Sequence, residues 1–199
     1  MKKLSRITEG ILGDIARRDL TGNKKKEDII KPIYFPETYG ELLDVIEEVC
    51  PYKAHTIQEL DLRTIDVSKV DSFCMLFNGR YDAMTIDIST WDTSNITDMS
   101  GMFIGCNNLE CIKFGKKWKT DMVFDMNGMF KHCEKLKFLD TNDWNTMSLI
   151  NTNGMFENCK NLSVIGIEYW DTTRLETSKN MFENCKTKYE YNGHKFVKI

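Results

Sequence analysis

The stretch W-D-T-S-N-I-T-D-M-S-G-M-F, residues 91–103, decides the fold because the chain keeps returning to it. Its closing Phe recurs at 77, 103, 130, 156 and 182, at intervals of 26, 27, 26 and 26 residues. From the second copy onward each Phe follows a Met (Met102, Met129, Met155, Met181) and is followed three residues later by a Cys (Cys106, Cys133, Cys159, Cys185). Twelve residues before each of these Phe stands a Trp: Trp91, Trp118, Trp144 and Trp170. The first copy departs, with Ile65, Leu76 and Arg80 in the Trp, Met and Cys places, as suits an end unit that faces solvent. Self-similarity at this period marks a repeat array.

Before each Trp lies an apolar trio spaced L-x-x-L-x-L: Ile57, Leu60, Leu62; Ala83, Ile86, Ile88; Leu109, Ile112, Phe114; Leu136, Leu139, Thr141; and Leu162, Ile165, Ile167. The last two members of each trio alternate, which predicts a short strand with one buried face. The Asp, Ser and Thr after each Trp suit a turn, because their side chains bond neighbouring backbone amides, and the segment up to the Phe reads as a short helix. No unit can bury its own Leu, Met, Phe and Trp, so neighbours must stack and share a core, with strands about 4.8 Å apart and a body on the order of 24 Å long. The expected fold is α/β: a solenoid of about five 26-residue coils, each strand, turn and short helix.

The L-x-x-L-x-L strands, the F-x-x-C-x-x-L element and the W-D-T-S-x-[IV]-T-x-M-x-x-M-F pattern resemble the BspA-like leucine-rich-repeat surface proteins, over Ile57 to Cys185. The third copy, G-K-K-W-K-T-D-M-V-F-D-M at 115–126, departs from the pattern and its interval is one residue longer. The resemblance implies a leucine-rich-repeat solenoid that recognises other macromolecules, in adhesion or assembly, and carries no catalysis.

The ends differ from the body. Leu4, Ile7, Ile11, Leu12 and Ile15 share one helical face among charged residues, a helix too short to be stable alone in water and weakened by Gly10 and Gly13. Residues 1–31 hold nine Lys/Arg against five Asp/Glu, +4, which leaves −7 for the rest of a chain of formal charge −3. We read them as a docking segment and linker, with a protein surface as partner, possible capsid or tail protein included; I-T-E-G-I-L-G-D-I-A-R-R-D resembles N-terminal segments of tailed-bacteriophage virion proteins. Residues 32–56 are expected to form an N-terminal helical cap, from Tyr39, Leu42, Leu43, Ile46 and Val49 ahead of Pro51. The repeats span 57–188, and 189–199 form a hairpin cap, since Asn192-Gly193 lies between two alternating runs.

The chemistry-bearing residues read mostly as structure. Seven cysteines without a Cys-x-x-Cys pair predict neither a disulfide framework nor a zinc site, and a column of small buried thiols outweighs a metal or redox ladder. His55, His132 and His194 sit in no catalytic motif, and the acidic residues fall in turns, so no enzyme, cofactor or metal is expected. The expected binding surface is the solvent side of the strands: Asp61, Arg63, Asp87, Ser89, Lys113, Asp140, Asn142 and Glu168. Its mixed to acidic character suits a protein or glycan rather than nucleic acid. No apolar run reaches the roughly 20 residues of a membrane span, and the segment after Met1 lacks a signal peptide's uninterrupted apolar stretch, so export by the usual route is not expected. The expectation is thus a structural or accessory part of a large assembly, a virion component, with a bacterial surface adhesin or an intracellular scaffold as alternatives.

Overall fold

A computed structural model describes residues 31–51 and 59–199. Among the described residues are one α-helix, α1 (Tyr39–Val49), and seven three-residue strands: β1 (Glu59–Asp61), β2 (Thr85–Asp87), β3 (Cys111–Lys113), β4 (Phe138–Asp140), β5 (Ser163–Ile165), β6 (Tyr189–Tyr191) and β7 (Phe196–Lys198). The first five pair in parallel, β2 with β1 and with β3, and β4 with β5. Leu60, Ile86 and Ile112 are in register, as are Leu139 and Val164. The ladder breaks after β3, in the coil whose extra residue falls between Phe114 and Trp118. Parallel bridges Ser72–Asp98–Asp125–Asn151–Thr177 run unbroken across all five coils.

The expected short helices are not there, and the backbone shows why. In each coil two residues four apart take positive φ: Met75 and Gly79, Gly101 and Gly105, Gly128 and His132, Gly154 and Asn158, Asn180 and Asn184. A left-handed residue every fourth position ends helical propagation and makes overlapping turns instead. Within a coil N–H groups reach back three residues, as from Leu76 to Phe73 and from Asn78 to Met75. The alternate N–H groups point at the next coil: Phe73, Met75, Phe77 and Gly79 donate to Asp98, Ser100, Met102 and Ile104. The same four-bond pattern recurs at every junction to the fifth coil, at 2.8–3.0 Å. Met and His are poor occupants of the left-handed region, so His132→Gly is expected to raise the unfolding free energy by about 0.5 kcal/mol, the strain relieved less the extra chain entropy of Gly; urea titration checks it.

The interior is built in columns. Phe77, Phe103, Phe130, Phe156 and Phe182 stack face to face with centroids 5.3–5.6 Å apart. Met102, Met129, Met155 and the four repeat cysteines lie buried beside them. The fifth coil corrects one expected core position: Val164, not Ile165, is buried opposite Leu139. The alternation from Leu162 turns Val164 inward and Ile165 out, and Gly166 at φ 93° absorbs the displaced residue so that Ile167 is buried again. The φ matters less there than space, because a Cβ on Gly166 would meet Asn142 N at 2.6 Å.

Both ends are covered in part. Thr38 caps α1 by accepting from the Glu41 N–H, Glu41 accepts from the Glu37 N–H, and the helix buries Leu42, Val45 and Ile46 against the first coil, each worth about 1.5–3 kcal/mol. The Tyr39 hydroxyl donates to the Cys74 carbonyl. At the other end the β6–β7 hairpin sets Phe196 edge-on to Trp170 and Phe182, with Tyr189 against Phe182.

Candidate binding face

The strands put two rows of side chains outward, Glu59, Thr85, Cys111, Phe138 and Ser163 in one and Asp61, Asp87, Lys113, Asp140 and Ile165 in the other. Around β1–β3 the charges neutralise one another. Arg63 grips Asp61 through Nε and a terminal nitrogen at 2.8 and 2.6 Å, and Lys113 reaches Glu59 at 2.8 Å. Asp87 lies between them, 3.6 Å from Arg63 and 3.5 Å from Lys113. The Arg63 hydrogen bonds hold the Asp61 carboxyl below its ordinary range. Exposed pairs of this kind contribute little to stability individually; their effect here is to fix side-chain positions on the strand side.

Two of the expected face residues sit differently. Asp87 is buried rather than solvent-facing, because its Oδ1 accepts from the Ser89 N–H and hydroxyl while cations from both adjoining coils close over it. Glu168 is not on a strand: it lies in a 3-10 turn, Ile167–Tyr169, and accepts from the Tyr189 hydroxyl at 3.0 Å. Asp61, Arg63, Ser89, Lys113, Asp140 and Asn142 do share the strand side, Asn142 bonded to Asp140. The expectation missed the apolar residues of the C-terminal half, where Phe138, Ile165 and Tyr169 are exposed, Tyr169 by 77%. The signal for Phe138 in the sequence was an aromatic at a strand position that the first three coils give to Glu59, Thr85 and Cys111. The docking residues Leu4, Ile7, Ile11, Leu12 and Ile15 lie outside the described residues.

The cysteine column is interior. Cys106, Cys133 and Cys159 donate to the carbonyls of Phe77, Phe103 and Phe130 at 3.0–3.2 Å, each one coil back. Burial pushes Cys106 up to about 12 from 9.0 and raises Cys133, Cys159 and Cys185 as well. A folded state that holds these protons more tightly than the unfolded chain keeps the full contribution below pH 9 and loses it as pH rises from 9 toward 12. Unfolding free energy is therefore expected to fall steadily above pH 9, and at neutral pH a maleimide should label exposed Cys111 and half-buried Cys74 well before the other five thiols. Mass spectrometry of a labelling time course checks the second point. Among the described residues no three His, Cys, Asp or Glu side chains are grouped to hold a metal ion, and no helix is long and apolar enough to cross a membrane.

A family model described as "Mycoplasma protein of unknown function, DUF285" matches residues 51–111 and 76–194. The two matches overlap, as a repeated unit allows, and together they take in most of the chain; the protein belongs to this family. No curated protein and no solved structure matches it.

Proposed function

We propose that the protein is a non-enzymatic structural or accessory component of a large assembly, a virion part that docks through residues 1–31 and holds a BspA-like leucine-rich-repeat solenoid outward to bind protein or glycan. The observation that carries the reading is the two-part strand face. Charges paired with one another around β1–β3 are followed in the next two coils by the exposed Phe138, Ile165 and Tyr169, and a surface that combines exposed aromatic residues with fixed polar groups suits macromolecular recognition. The basic, amphipathic residues 1–31 supply the docking half of the proposal. A second reading is a bacterial surface adhesin or an intracellular interaction scaffold, in keeping with a family description that names a bacterium and no virion.

The test compares the intact chain with one lacking residues 1–31, by quantitative mass spectrometry of purified particles, envelope and soluble fractions. Loss of particle association with an unchanged circular dichroism spectrum supports docking through that segment. Equal association of both forms moves the contact to the repeats, and absence of both forms from particles favours the second reading.

A further inference from the structure

From Phe73 to Gly79, and at the equivalent residues of each later coil, the turn-side hydrogen bonds between coils run one way, whereas just before them reverse bonds such as Thr97 N–H to the Asp71 carbonyl close each junction. N–H groups of one coil donate to carbonyls of the next, four at a time, through four junctions. In the fifth coil the corresponding donors are Ser178, Asn180, Phe182 and Asn184, and none of the four N–H groups has an acceptor among the described residues. The hairpin seals the Phe182 and Trp170 side chains but stops short of this row. Between the row and the hairpin lies an open groove of about 570 Å³, lined by all four donor residues together with Lys188, Tyr191 and Ile199. The opposite end of the array is treated differently: there the carbonyl of Cys74 receives the Tyr39 hydroxyl.

The geometry points to this C-terminal edge as a binding site for a peptide segment of another protein, held by backbone carbonyls at alternate residues. The polarity of the edge selects the occupant. Two copies meeting tail to tail would set donors against donors. Two copies meeting head to tail would require the first coil's carbonyl edge, where α1 and Tyr39 already stand. A free peptide meets neither obstacle and continues the junction that the chain makes internally four times. The site is independent of the strand face and of residues 1–31, so it goes beyond the function proposed above.

The probe is a synthetic peptide of residues 174–186 with Cys185→Ser, whose carbonyls at 177, 179, 181 and 183 are those that the fourth coil's donors already use. Amide hydrogen exchange of the full chain is followed by NMR with this peptide and with a scrambled one. At a peptide concentration about ten times Kd, exchange at Ser178, Asn180, Phe182 and Asn184 should slow about tenfold, with the inner coils unchanged. Three results overturn the proposal: no slowing up to the solubility limit of the peptide, equal slowing by the scrambled peptide, or slowing that follows the chain's own concentration without peptide, which would make a second copy the occupant. None of these bears on the particle-association test.

Discussion

Phe130→Ala is expected to lower the unfolding free energy by about 3–5 kcal/mol, a large share of the roughly 5–15 kcal/mol typical of a folded domain. Phe130 is fully buried, stacked on Phe103 at 5.3 Å and on Phe156 at 5.6 Å, and within 6.3 Å of Trp144. Its removal opens a cavity between two junctions whose backbones are pinned by four hydrogen bonds each, so the walls have little room to close. For a chain of this length the loss corresponds to about 6–20 °C in melting temperature. The array is also held mainly by contacts between adjacent coils, so a defect at the third coil should split one cooperative transition into two. Urea unfolding followed by circular dichroism measures both effects. Phe182→Ala, at the end coil beneath Tyr189 and Phe196, should cost less; equal costs would mean that position along the array is irrelevant.

Gly115→Ala is the second large effect. A Cβ there would lie 1.7 Å from the Ser89 carbonyl oxygen and 2.5 Å from its carbon, both backbone atoms of the preceding coil. Relief requires one coil to move away from the other beside the break between β3 and β4, at a cost of about 3 kcal/mol or more. Gly193→Ala is the comparison: nothing lies within 4 Å of its Cβ and only its φ of 89° is unfavourable, which costs about 1–2 kcal/mol. Thermal unfolding of the two variants side by side separates close approach from backbone strain, and a Gly115→Ala loss no larger than that of Gly193→Ala would show that the third coil yields freely.

The columns of Phe, Trp, Met and Cys were legible in the sequence because identical spacing in successive units places identical side chains together. The hairpin was legible for a local reason, Asn192-Gly193 between alternating residues, and α1 from its apolar period and Pro51. The turn segment was misread because Met99, Met102 and Phe103 fall at helical spacing. The contrary signal was the pair of residues four apart, Gly101 with Gly105 and Asn180 with Asn184, whose left-handed backbone no helix accepts. On the binding face the strand alternation gave the rows but not the burial of Asp87. That depends on Arg63 and Lys113 arriving from coils before and after it, a coincidence of three dimensions. In the fifth coil either Val164 or Ile165 fits a strand core by residue type, and only the 25-residue offset between Leu139 and Val164 decides.

The shared direction of the four bonds that start at Phe73, Met75, Phe77 and Gly79 and at their equivalents also bears on how such a gene changes length. Each inner coil presents four acceptors to the coil before it and four donors to the coil after it, so a duplicated unit finds both partners ready and leaves no group unmatched. Addition or loss of a whole coil would therefore leave both terminal structures seated. An insertion of one or two residues has no such tolerance outside the short stretch before the Trp, where Phe114 to Trp118 and Val164 to Trp170 already carry an extra residue each. Length variation among relatives is accordingly expected in steps of about 26 residues, with the smaller differences confined to that stretch.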